Sequence, residues 1–383
     1  MTDVDNPTIL GPFRAMLLLV WLVAASAALA TDLPAGQIID RVTCAADSSQ
    51  SYALFVPAGY TPTRAWPVIF AFDPGGRGRT PVERYQAAAE RYGFIVVGSN
   101  NSRNGSTEIS KILAAMTADV AERLAVDPKR VYLAGMSGGA RVALQVALAS
   151  KDVAGVIASS AGYPDSRIRK TLPFPIFATA GTDDFNHLEM RQLDGALTTP
   201  HHLAIFKGGH VWLSSELALE AVEWMEVQAM KSGLKPREEG EIDRLLAARM
   251  ASASTFLALR AIVDDFQGLR DVSSLATRVA TLGRDKSIRA ALQKDLDDDR
   301  REETILRDVT SMAARLASDD RLQALAQLRQ AWKDLSAQAK QPIDSTERQL
   351  ARRVLGALSA DAVTRDADYS KIIAEYRMER GAR

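Results

Sequence analysis

Short, continuous apolar runs separated by amphipathic stretches fill the chain from about residue 38 to 232. The runs are SYALFVP (51–57), WPVIFAFD (66–73), GFIVVGSN (93–100), RVYLAG (130–135), VAGVIASSAG (153–162), PIFATAG (175–181) and HLAIFKG (202–208). Such brief runs predict strands buried on both faces of a mostly parallel sheet. Between them, Ile109, Ile112, Leu113, Met116, Val120, Ala121 and Leu124 recur at helical spacing and share one face, and residues 217–230 form a second such stretch. Strands alternating with helices predict an α/β sheet covered on both sides.

The texture changes at Gly233-Leu234-Lys235-Pro236. Beyond it only helical spacing recurs, over 241–253, 256–266, 302–317, 322–335 and 347–358, which predicts an all-α region of five to eight helices. Stacked helix pairs of the tetratricopeptide kind fit that pattern, although no period of about 34 residues is present. The charged run DLDDDRREE (295–303) reads as a solvated helix face or connection.

At the other end, AMLLLVWLVAASAALA (15–30) follows Arg14 and closes on the small-residue pattern Ala28-Leu29-Ala30. As a helix it reaches about 24 Å, short of a bilayer core of about 30 Å. It therefore reads as a secretory signal peptide cleaved after Ala30. The expected organisation is a signal peptide (1–30), an α/β domain (31–235) and a helical domain (236–383), in an exported protein of the periplasm or extracellular medium.

Composition narrows the function. The 383 residues carry 47 Lys+Arg and 47 Asp+Glu, so no net basic charge draws the chain to nucleic acid or anionic lipid. One cysteine, Cys44, excludes an internal disulfide and reads as a small buried residue. No metal-ligand cluster and no phosphate-binding loop is evident, so the expected chemistry needs no metal and no cofactor.

The chemistry centres on GMSGG (135–139), a G-x-S-x-G pattern between the strand RVYLAG and a helix whose apolar face is Val142, Ala143, Val146 and Ala147. That strand–turn–helix setting is what a nucleophile elbow requires. Small residues at 135 and 139 let the helix pass close to the strand, and the Gly138 N–H, at a helix N-terminus, is aimed at developing negative charge. Ser137 needs a base. Of four histidines, His210 follows the last strand in FKGGHVW, His201 and His202 precede that strand, and His187 reads as a surface position after GTDD. An imidazole needs a carboxylate to hold its tautomer. Asp183 and Asp184 both stand after a strand and both satisfy that need, in the order Ser, Asp, His.

From about Thr31 to Lys231 the chain resembles the α/β-hydrolase superfamily. It is similar to the secreted esterase branch that includes dienelactone-hydrolase-like, feruloyl-esterase-like and polyhydroxybutyrate-depolymerase-like proteins. YALFVPAGY, VDPKRVYLAGMSGG, GTDD and GGHVW carry the resemblance. It implies a mostly parallel sheet with helices on both faces, and catalysis by Ser137, Asp184 and His210. The acid sits at the fourth place of a G-[TS]-x-D motif, which selects Asp184, while GGH-x-W marks Trp212 as a pocket or packing residue. One site departs from the pattern. Many relatives carry His-Gly after the strand preceding the first helix, whereas this chain reads FDPGGRG (72–78). Pro74 has no N–H, so Gly75 or Gly76 is expected to join Gly138 in the oxyanion hole, with Arg77 near a substrate carboxylate.

The expected activity is a serine hydrolase cleaving carboxylic esters through an acyl-enzyme. Only YPDSRIRKTLPF (163–174) separates two strands where lids are commonly inserted, so an open cleft for short-acyl or polymer-attached esters is expected. The helical region reads as a surface for a protein or polymer partner, as a packing or self-association element, or as a cap. Two further readings stand beside the esterase: a serine peptidase on the same fold, and a non-enzymatic adaptor carrying a degenerate hydrolase domain.

Overall fold

A computed structural model describes residues 33–150, 152–360 and 366–381. The segment read as a signal peptide lies outside the described residues. Eight strands form one sheet: β1 (Ile38–Thr43), β2 (Ser51–Phe55), β3 (Trp66–Phe72), β4 (Ile95–Ser99), β5 (Val126–Met136), β6 (Gly155–Ser159), β7 (Ile176–Gly181) and β8 (His201–Phe206). Their spatial order is β1-β2-β4-β3-β5-β6-β7-β8. β2 is antiparallel to β1 and β4, whereas β4, β3, β5, β6 and β7 run parallel. β1 is a strand that the apolar runs did not reveal, because Ile38 and Ile39 are half-buried, Asp40, Arg41 and Thr43 are exposed, and only Val42 is buried.

The helices are α1 (Arg79–Tyr92), α2 (Ile109–Arg123), α3 (Gly138–Ala149), α4 (His187–Ala196), α5 (Ser215–Ser232), α6 (Glu239–Ser252), α7 (Phe256–Phe266), α8 (Ser273–Leu282), α9 (Lys286–Ala314), α10 (Arg321–Ala339), α11 (Thr346–Ala360) and α12 (Ala367–Gly381). This is a mostly parallel sheet covered by helices on both faces, followed, among the described residues, by helices alone.

By contacts the chain divides into two compact units. One is the chain up to Thr179 with Gln192–Ala204 and Val211–Val279; the other is Ala180–Arg191, Ile205–His210 and the chain from Ala280 onward. In the first unit the pleat sorts the side chains. Ile69, Ala71, Tyr132 and Ala134 join Val82 and Tyr85 of α1 and Val222 and Trp224 of α5 in one core cluster. Phe70 and Leu133 lie instead beside Leu113 and Thr117 of α2 and Val146 of α3. Strands so covered cannot alternate apolar with polar residues, which is why they read as unbroken runs. Cys44 is buried here, and burial, helped by Asp119, pushes its thiol up to about 11.

The compositional change at 233–236 is not where compactness changes. Trp224 Nε1 donates to Asp265 Oδ1 of α7 at 2.7 Å, and Arg249 of α6 pairs with the other Asp265 oxygen at 2.9 Å. These bonds keep α6 and α7 with the sheet unit. In the second unit, α9–α12 share a core built around Leu328, Trp332, Leu350, Val354 and Ile373. The run DLDDDRREE lies within α9. Most of it is exposed, but Glu302 is 1% exposed and paired with Arg353, so part of a supposedly solvated face is interior.

Candidate active site

Ser137 occupies the turn between β5 and α3 with φ 53° and ψ −125°, one of two non-glycine residues at positive φ among the described residues. A conformation of this kind is held only by its surroundings. Here the Ser137 N–H donates to Ser159 O at 2.8 Å. The flanking glycines are sterically required. A Cβ on Gly135 would lie 2.2 Å from Gly139 O, and one on Gly139 would lie 1.9 Å from Phe72 O. Gly138 opens α3, so its N–H has no carbonyl four residues back within the helix.

The FDPGGRG loop is organised around Asp73, which is fully buried. Its carboxylate accepts hydrogen bonds from Gly75 N at 2.8 Å, Arg77 Nε at 2.8 Å, Arg77 Nη2 at 3.1 Å and Trp212 Nε1 at 2.8 Å. Burial pushes the Asp73 carboxyl upward, but the bonds from Arg77, Trp212 and Gly75 outweigh it and hold it below the usual carboxylate range. Gly76 N donates to Asp73 O at 3.0 Å. The N–H groups of Gly75 and Gly76, the expected oxyanion donors of this loop, are thus both engaged by Asp73. Arg77, expected near a substrate carboxylate, pairs with Asp73 while its side chain stays 65% exposed, and Trp212 is a buried donor to the same group.

The loop after β4 supplies a side chain that sequence reasoning passed over. Asn104 N donates to Pro74 O at 2.8 Å, and Gly75 bridges Arg103. This anchoring sets the exposed Asn104 carboxamide against Gly138, where a Cβ would lie 1.8 Å from Asn104 Oδ1. The signal was available in SNNSRNG, a polar turn at the same sheet end as the elbow.

In the second unit, the loops after β7 and β8 meet. A Cβ on Gly181 would lie 2.3 Å from Gly208 O, and Asp183 N donates to Gly208 O at 2.8 Å. That close approach brings His210 Nδ1 to 2.8 Å from Asp184 Oδ1, which also accepts from Asn186 N at 2.9 Å. The Asp184 side chain is fully buried and that of His210 is 19% exposed. A carboxylate only accepts, so this bond requires the tautomer protonated at Nδ1. Phe185 stacks on the imidazole with ring centroids 3.9 Å apart. Asp183 turns instead to Arg352 of α11, with Nη1 to Oδ2 at 2.7 Å. Arg353 of α11, unlike Asn104, has no signal in the sequence: its Nη1 donates to Thr182 O at 2.9 Å.

His187 corrects its reading as a surface position. It is buried, its Nδ1 lies 3.0 Å from Gly181 O, and burial followed by the charge of Arg353 pushes its pKa down to about 4. His201 and His202 open β8 at the opposite strand end, and burial pushes His202 down to about 4 as well. A cavity of about 550 Å³ opens at the start of β3, lined by Trp66, Arg130, Glu226 and Lys235. Arg130 and Lys235 of its lining both bond Glu226, and it lies away from the end of β5 that carries Ser137.

No protein-family model matches the chain, and comparison with curated proteins gave no match. Solved structures do resemble it. An arylesterase superposes with a TM-score of 0.41 at 12% identity, covering 55% of this chain and 89% of its own. A butyrate-bound esterase of Thermogutta terrifontis gives 0.38 at 15% identity, over 54% of this chain and 98% of its own. The feruloyl esterase module of Clostridium thermocellum, complexed with sinapinate, gives 0.39 at 14% identity, over 51% and 89%.

Proposed function

We propose that the chain is a serine hydrolase that cleaves carboxylic esters through an acyl-enzyme. The observation that carries this reading is the buried Asp184 carboxylate on His210 Nδ1, which leaves Nε2 as a base. The strained Ser137 elbow supplies the matching nucleophile. In this mechanism Nε2 takes the Ser137 hydroxyl proton as Oγ attacks the acyl carbon. The imidazolium, stabilised by Asp184, then protonates the departing alcohol. Water, deprotonated by the same nitrogen, releases the acid and restores Ser137.

The tetrahedral oxyanion is met by the Gly138 N–H at the start of α3 and, with the carboxamide turned to present its donor, by Asn104 Nδ2, since Gly75 and Gly76 are occupied with Asp73. Residues 163–174, between β6 and β7, contain no helix and so house no cap domain. Short-acyl and aryl esters are therefore the proposed substrates, ahead of long-chain lipids.

Hydrolysis of p-nitrophenyl acetate by the full chain tests the proposal. Ser137→Ala should lower kcat by about 10⁴-fold or more. Asn104→Ala should lower it by about 10²-fold with little change in KM, the mark of a group acting in the transition state. Turnover unaffected by Ser137→Ala would refute the nucleophile. Unaffected turnover in Asn104→Ala would return the second oxyanion donor to the backbone of the 73–78 loop.

A further inference from the structure

The loops carrying the acid and the base cluster with the C-terminal helices, not with the sheet from which they emerge. The bonds responsible are specific. The loop 181–185 is gripped residue by residue. His187 lies on Gly181 O, Arg353 donates to Thr182 O, Arg352 pairs with Asp183, and Asp184 holds His210. Two of these four contacts come from α11. A third α11 contact is steric: Gly356 faces Phe185, and a Cβ there would lie 2.9 Å from Phe185 Cβ. Phe185 is the ring stacked on His210. The close approach of α11 at Gly356 is therefore one residue removed from the imidazole.

Arg353 is itself fixed. Its side chain is 6% exposed, and its Nε and Nη2 both reach Glu302 Oε2 of α9, at 2.8 and 2.6 Å. Glu302 is 1% exposed, so the pair is desolvated, and removing one partner alone would leave a buried charge. Arg352 Nε adds a bond to Ala339 O at the end of α10, at 3.1 Å. On the other side, Arg191 of α4, in the helix that follows the loop, reaches both oxygens of Asp299 of α9 at 2.9 and 2.8 Å. The loop is clamped at its start by α11 and beyond its end by α9.

We propose that α11 is a positioning element for the acid–base pair, with Arg353 and Gly356 setting where Asp184 and His210 stand. This rests on the reading of Ser137, Asp184 and His210 as the catalytic residues, and gives the C-terminal helices a role in the reaction. Arg353 acts through the Thr182 carbonyl on the segment that ends in Asp184. Gly356 acts by being small, leaving Phe185 in place against the imidazole. Neither touches the reacting atoms.

The test uses the full chain, p-nitrophenyl acetate, and active sites titrated to completion with a fluorophosphonate, so that kcat refers to reactive protein only. Removing Arg353 alone would strand Glu302, so the pair is replaced together, Arg353→Met with Glu302→Met. Gly356→Ala and Arg352→Ala are measured beside it. Arg321→Ala, which breaks an exposed pair with Asp366 and Asp368 elsewhere in the helices, is the control. The expected result is a fall in kcat of at least tenfold per titrated site for the Arg353/Glu302 pair and for Gly356→Ala, with KM within about twofold. Arg353→Lys, which keeps a donor for Thr182 O, should recover part of the loss. A merely structural role would lower melting temperatures and leave kcat per titrated site unchanged; that result in both the Arg353/Glu302 and Gly356 variants would overturn the proposal. If the paired variant does not fold, Gly356→Ala and Arg352→Ala decide the matter. Wild-type protein that neither turns over the ester nor takes the label would refute the triad reading itself, and this inference with it.

Discussion

Replacing Ser137 with glycine should stabilise the protein relative to replacing it with alanine. Both substitutions remove the hydroxyl and whatever it bonds, so their difference isolates the backbone. At φ 53° and ψ −125° an L-residue is strained, and Ala keeps that strain while Gly loses it. Strain of this kind costs about 1–3 kcal/mol. The more flexible unfolded chain of the Gly variant opposes the gain by about 0.5–1 kcal/mol. The net advantage of Ser137→Gly over Ser137→Ala is therefore about 1 kcal/mol, or about 2 °C in melting temperature for a chain of this size. Thermal melts followed by circular dichroism measure it directly, and neither variant should turn over ester. A Ser137→Gly protein melting at or below the Ser137→Ala protein would refute the claim that the elbow stores strain.

Two further predictions concern the surroundings of the site. Burial holds His187 near 4 against an ordinary 6.5, so the unfolded chain binds a proton below about pH 6.5 that the folded chain refuses until about pH 4. The contribution of His187 is thus complete above pH 6.5 and falls by up to about 3 kcal/mol toward pH 4. The melting temperature of wild type relative to His187→Asn should drop steadily between pH 7 and 4.5, and parallel curves would contradict this. The comparison also cancels Asp265, whose carboxyl burial raises to about 6 and which acts in the opposite sense over the same range. Trp224→Phe removes the indole donor to buried Asp265 and should cost about 1–3 kcal/mol. Since that bond ties α7 to α5, ester kcat should not change; a loss of kcat without a loss of stability would contradict the assignment.

Much of the sheet was legible because strands buried on both faces must be continuously apolar, and the elbow was legible because Gly135 and Gly139 are forced by backbone contacts. β1 escaped because a half-exposed edge strand has no such run. Position after a strand did not separate Asp183 from Asp184; the resemblance selected Asp184, and the tertiary structure pairs Asp184 with His210 and Asp183 with Arg352. The 73–78 loop was less legible for a different reason. Gly75 and Gly76 offer N–H groups in the sequence, but only the fold reveals that the buried Asp73 between Arg77 and Trp212 consumes them. Arg353 and Glu302 were unreadable in principle: charged residues at helical spacing look solvated until a partner 51 residues away buries both.

The central claim is that Ser137 is a nucleophile activated by His210. Its most direct test is a fluorophosphonate reaction followed by intact mass and peptide mapping. The account predicts one adduct per chain, located on Ser137, and its absence in Ser137→Ala and strong slowing in His210→Ala. Folded wild-type protein that takes no label, or carries it on another residue, would contradict it.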